Sequence, residues 1–124
     1  MSVTEEQIAA AGQWLTNVEA LAAACDQTGF PFYLGCTILQ KETGGANIFG
    51  HDRGGAFSES GHDIEVTKER YQKFRELIRH QSSNGVGPMQ ITFRGFFDQM
   101  EQQGLQPWVP ADNIRFGISV LHRT

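Results

Sequence analysis

Phe32-Tyr33-Leu34-Gly35-Cys36-Thr37-Ile38-Leu39-Gln40-Lys41-Glu42-Thr43-Gly44-Gly45 closes an apolar run on a carboxylate and stops it with two glycines. Pro31 suits the first turn of a helix and the glycines suit its end, so the pattern predicts a helix over about 31–43. Phe32, Leu34, Cys36, Ile38 and Leu39 give it apolar coverage on more than one side, which predicts a central position. Glu42 then lies at a rigid helix C-terminus, where a charged carboxylate is disfavoured and apolar neighbours would desolvate it. That combination makes a proton donor; the plainer alternative is a surface Glu near a helix end.

Downstream, Gly44 to Glu65 is rich in glycine and reads as an irregular loop, with room at most for a short hairpin around 48–58. Asn47, His51, Asp52, Arg53, Glu59, His62 and Asp63 supply its polar chemistry. Thr67 caps a helix over about 67–81 that turns Tyr71, Phe74, Leu77 and Ile78 inward and leaves a basic, solvated outer face. Ser82-Ser83-Asn84-Gly85-Val86-Gly87-Pro88 is a turn-rich approach to Met89-Gln90-Ile91. Thr92 caps a helix to about 103 with Phe93, Phe96, Phe97 and Met100 inside, and a last helix starts at Pro110 or Asp112. Upstream, Thr4-Glu5-Glu6-Gln7 has the form of a capping box. Behind it Ile8, Ala11, Leu15, Val18, Leu21 and Cys25 predict one helix over about 5–27, with Trp14 in or at the edge of the core.

The 124 residues fit a single domain, 1–124, and an apolar fraction of 40% with nine Phe supplies a packed interior. A net charge of -4 argues against nucleic acid or an anionic membrane as partner. No stretch is long and apolar enough to insert in a membrane, and Met1-Ser2-Val3-Thr4-Glu5-Glu6 is not a signal peptide, which predicts synthesis in a cytoplasm. Cys25 and Cys36 read as two reduced core thiols, with a disulfide between the first two helices as the alternative.

Glu42, Gly87-Pro88-Met89-Gln90 and Asn113-Ile114-Arg115-Phe116-Gly117, in that order, resemble the lysozyme-like superfamily in its goose-type lysozyme and soluble lytic transglycosylase branch. The likeness spans about 31–121 and is greatest to muramidase-like domains of endolysins from phages of actinobacteria. It implies a mainly α fold, α+β at most, of about five helices with a Gly-rich loop or small hairpin lobe forming a cleft. The implied enzyme is a lysozyme (muramidase) or lytic transglycosylase, cleaving the β-1,4 bond between N-acetylmuramic acid and N-acetylglucosamine of peptidoglycan.

Under that resemblance Glu42 is the general acid and Asp52 positions water or orients the cleft, with Asp63 and Glu59 as other candidates for the second carboxylate; the rival role for Asp52 is structural, accepting hydrogen bonds from the loop backbone. Thr43 would orient Glu42, Asn113 would hold the cleft wall together, and Asn47, His51 and Gln90 would meet the substrate; Phe49 would stack on a sugar or sit in the core. The chain would be a domain of a longer lysin, made in a host cytoplasm and acting on the wall after release by a pore-forming partner, or carried on a virion. No cofactor or metal is implied. The net charge of -4 departs from the basic balance common in wall-degrading lysozymes. Two alternatives accompany this reading: a non-catalytic wall-binding module on the same fold, and a zinc peptidase using His51-Asp52 and His62-Asp63. A thiol hydrolase built on Cys25 or Cys36 is disfavoured by their apolar helical settings.

Overall fold

The computed structural model describes residues 2–58 and 61–124. The chain begins on the capping box: Thr4 Oγ1 accepts from Gln7 N at 3.1 Å and Gln7 Oε1 accepts from Thr4 N at 2.8 Å, opening α1 (Glu5–Ala11). The single helix expected over 5–27 is in fact two, because the chain turns at Gly12 and restarts as α2 (Val18–Thr28). Long-range bonds decide this. Thr16 N donates to Gly44 O at 2.9 Å and Asn17 Nδ2 to Gly45 O at 2.7 Å, with Asn17 in the left-handed region at φ 60°. Leu15 and Val18 still reach the core, but the turn throws Trp14 outward to 75% exposure, against the core or edge position expected for it.

The central helix is α2, which packs on both α3 (Phe32–Glu42) and α6 (Pro110–Arg123). Gly35 permits the close approach of α3, since a Cβ there would lie 3.0 Å from Leu21 Cδ1 and 3.2 Å from Cys25 Sγ. Helix α3 itself is peripheral: it fully buries only Gly35 and Leu39 and leaves Tyr33 71% exposed. Phe32, Cys36 and Ile38 are only partly buried against the core, Ile38 also lines a groove, and Leu34 is exposed. Helix α4 (Lys68–Leu77) starts on Thr67, whose Oγ1 accepts from Arg70 N at 3.2 Å. Helix α5 (Arg94–Gln102) starts without a side-chain cap, because the Thr92 hydroxyl donates backward to Gln90 O at 3.2 Å. Tyr71 and Phe74 of α4 meet Phe97 of α5 edge-on at 5.9 and 5.7 Å between ring centres, and Phe49 joins Phe74 at 5.3 Å.

Among the described residues there are six helices and no β-strand. The segment between α3 and α4 makes only isolated bridges, Ile48 with Glu65, Phe49 with Val86 and Gly55 with Ser82. The hairpin expected around 48–58 does not form, for a physical reason. Its glycines serve close approach: a Cβ on Gly55 would lie 2.7 Å from the Asn84 carboxamide, and one on Gly50 would lie 2.2 Å from Gln90 Oε1. Side-chain amides take the place of a ladder. Asn84, fully buried, donates to Gly50 O at 2.7 Å and Ser58 Oγ at 2.8 Å and accepts from Phe57 N at 3.0 Å. The α+β option and the hairpin lobe are therefore corrected to an all-α domain. The resemblance to lysozymes and lytic transglycosylases falls with them, because that fold builds its cleft from a β-sheet lobe that is absent from the described residues.

Cys25 and Cys36 are free thiols. Burial, with smaller contributions from Cys36 and Asp26, pushes Cys25 from 9.0 up to about 11, and burial raises Cys36 as well. Burial and the bond to Glu101 raise the Tyr71 phenol. Between pH 9.0 and about 11 the unfolded chain has released the Cys25 proton while the folded chain retains it. The unfolded state then binds fewer protons, so stability falls as pH rises through that window. Urea midpoints should decline over this range, and Cys25→Ala should make the decline shallower; an unaltered slope in the variant would assign it to other groups.

Candidate functional site

The turn between α4 and α5 is the scaffold of the site. Val86 and Ile91 exchange backbone bonds of 2.9 and 3.1 Å and close a loop of Gly87-Pro88-Met89-Gln90, with Gly87 at φ 76° and Gln90 at φ 50°. Four of the residues selected from sequence converge on it. Asn113, fully buried on α6, donates from Nδ2 to Val86 O at 2.8 Å and accepts at Oδ1 from Met89 N at 2.9 Å. Thr43 Oγ1 donates to Pro88 O and accepts from Gly45 N, both at 2.9 Å. Gln90 Nε2 donates to Ile48 O at 3.1 Å and Gly87 O at 3.0 Å, and Asp52 Oδ1 accepts from Gly85 N at 2.8 Å. Each of these polar groups is engaged with backbone.

The other selected residues lie apart from that cluster or inside the fold. Phe49 is 1% exposed, in the aromatic core. Asn47 Nδ2 donates to Val66 O and Trp108 O, both at 3.0 Å, while its buried Oδ1 has no partner among the described residues. His51 Nε2 meets Asp63 Oδ1 at 2.9 Å on the surface. Glu59 lies outside the described residues.

Glu42, the last residue of α3, stands at the rim of a groove of about 300 Å³. Ile38, Met89, Ile91, Phe93, Phe96, Phe116, Val120 and Leu121 wall it. Gly117 keeps it open beneath: a Cβ there would lie 2.7 Å from Met89 Cγ. Phe93 is 63% exposed, a large apolar ring held in water. Glu42 is exposed, and among the described residues its carboxylate has no hydrogen-bond or ion-pair partner.

Sequence reading missed the apolar walls. Ile38 and Glu42 are four apart and so share one face of α3, and Val120-Leu121 extends the apolar face of α6, but these signals are equally those of a core. It also missed Asn84, which no periodicity distinguishes from a turn asparagine.

The assignment as lysozyme, muramidase or lytic transglycosylase is corrected, and with it peptidoglycan cleavage, endolysin action and host cell lysis. The sheet-and-cleft architecture on which that chemistry depends is not formed by the described residues. The wall-binding module on a lysozyme-like core fails on the same ground. The zinc peptidase fails because no group of three or more His, Cys, Asp or Glu among the described residues is placed to hold a metal ion. What the fold and site define is a six-helix, all-α domain with an apolar groove and one carboxylate at its rim. No family model, curated protein or solved structure matches the chain.

Proposed function

We propose that the chain is a binding module whose groove takes the apolar body of a small-molecule ligand. One observation supports this above the rest: a hollow of about 300 Å³, walled by aliphatic and aromatic side chains and open to water. Ligand sites are typically concave, mostly apolar and furnished with a few polar groups, and this volume lies at the lower end of their range. Covering such walls contributes about 25 cal/mol per Å² of apolar surface removed from water. A polysaccharide is a poor match, because it needs many hydrogen-bond partners and the lining has only Glu42, Gln90 and Thr92 among its polar side chains.

Decanol titrated into methyl-labelled protein is expected to move the resonances of Ile38, Met89, Val120 and Leu121 saturably. Val120→Trp, which fills the groove, should weaken that binding about tenfold, equivalent to roughly 1.4 kcal/mol. Unmoved methyls, or shifts indifferent to the tryptophan, would refute the reading. Insoluble peptidoglycan, the partner implied by the sequence motifs, forms a second arm: retention on it, with decanol inert, would replace the small ligand by a wall polymer.

A further inference from the structure

We infer that the groove selects an amphiphile with a cationic head, such as a long-chain primary ammonium, over neutral or anionic molecules of the same chain length. The inference rests on the binding reading above and specifies its ligand class. Of the polar side chains in the lining, Glu42 offers a free acceptor, and the donors of Gln90 and Thr92 are turned to backbone carbonyls. Glu42 brings a carboxylate with no partner among the described residues. Both assigned bonds of Gln90 Nε2 run to the carbonyls of Ile48 and Gly87, and the Thr92 hydroxyl donates to Gln90 O. An anionic head would therefore find no side-chain donor and would face a like charge.

The backbone adds to the same sign. Glu42 ends α3, and Val120 and Leu121 lie in the last turn of α6, so the negative ends of two helix dipoles border the groove. The start of α5 carries the opposite sign, but the Phe93 ring folds across it: a Cβ on Gly95 would lie 2.5 Å from that ring. The cations near in sequence are directed elsewhere. Arg94 donates to Ile78 O and Gln81 O. His122 and Arg123 line a separate hollow with Thr28 and Arg115. Lys41 adjoins Glu42 on the helix, where successive residues do not share a face. The net charge of -4 favours the approach of a cation over an anion.

Decylammonium, decanol and decanoate titrated below their aggregation concentrations test this. Decylammonium is expected to bind about fivefold more tightly than decanol, with the preference shrinking as salt is added, and decanoate most weakly. Glu42→Gln should cut the difference between ammonium and alcohol to the small part that the helix ends supply. Equal affinities in the wild type, or a preference undiminished by Glu42→Gln, would overturn cation selection by this groove while leaving it as a binding site. Failure of all three to move the groove methyls would overturn the binding reading and the inference together.

Discussion

Asn113→Ala is expected to destabilise the domain by about 3 kcal/mol, lowering Tm by roughly 12 °C for a chain of this size. The carboxamide bridges two backbone groups of one loop, Val86 O at 2.8 Å and Met89 N at 2.9 Å, from a position with no solvent exposure. Alanine removes both bonds: Met89 N is left a buried donor without a partner, a desolvation cost of about 1–3 kcal/mol, while Val86 O keeps its bond from Ile91 N and loses only one hydrogen bond, about 0.5–1.5 kcal/mol. The same carboxamide lies against Gly87, where a Cβ would come within 2.5 Å of Asn113 Nδ2. Gly87→Ala should therefore be severe in the wild type and milder in the Asn113→Ala background, because the clash has gone and only the strain of φ 76° remains. Thermal unfolding of both single variants and the double variant checks this. Strictly additive costs would show that the two residues do not share one packed contact.

The elements legible in the sequence are those specified within a few residues. The Thr4 capping box and the Thr67 cap satisfy helix-end N–H groups locally, Pro110 in the first turn of α6 lacks the N–H that would need a partner, and each stands where its pattern places it. The break between α1 and α2 was not legible, because its partners lie 28 positions away at Gly44 and Gly45. The lobe between α3 and α4 misled for a related reason. A glycine that opens a hairpin and a glycine that admits a buried carboxamide look alike in sequence, and Gly55 is of the second kind.

The candidate site was half legible. Glu42, Gln90 and Thr43 do lie at or beside the groove, yet the side chains of Thr43, Gln90 and Asn113 fasten backbone, a use that the motif pattern does not separate from holding a ligand. The walls escaped notice because a residue half-covered in a groove and one fully covered in a core share the same helical spacing. Phe93 illustrates it: read as core, it is 63% exposed. Exposure of that size is a tertiary property, which helical spacing does not encode.

Gly45→Ala should be the most damaging single substitution on the groove side of the molecule, at least about 3 kcal/mol. Gly45 has φ 94°, and an added Cβ would lie 2.0 Å from Thr16 O and 2.8 Å from Thr16 C. Both atoms are backbone, so no side chain can swing aside. The turn from 43 to 45 would have to part from the turn before α2, breaking Thr16 N to Gly44 O at 2.9 Å and Asn17 Nδ2 to Gly45 O at 2.7 Å. Gly44→Ala is the matched control. Its φ is 71° and nothing lies within 4 Å of where a Cβ would stand, so it carries only left-handed strain, about 1–2 kcal/mol. Urea unfolding of the pair separates the two causes. A large excess for Gly45→Ala identifies contact with Thr16 as what holds the end of α3, and so the Glu42 carboxylate, against the body of the fold. Equal losses would mean that the two turns can move apart at little cost, leaving backbone strain as the whole effect.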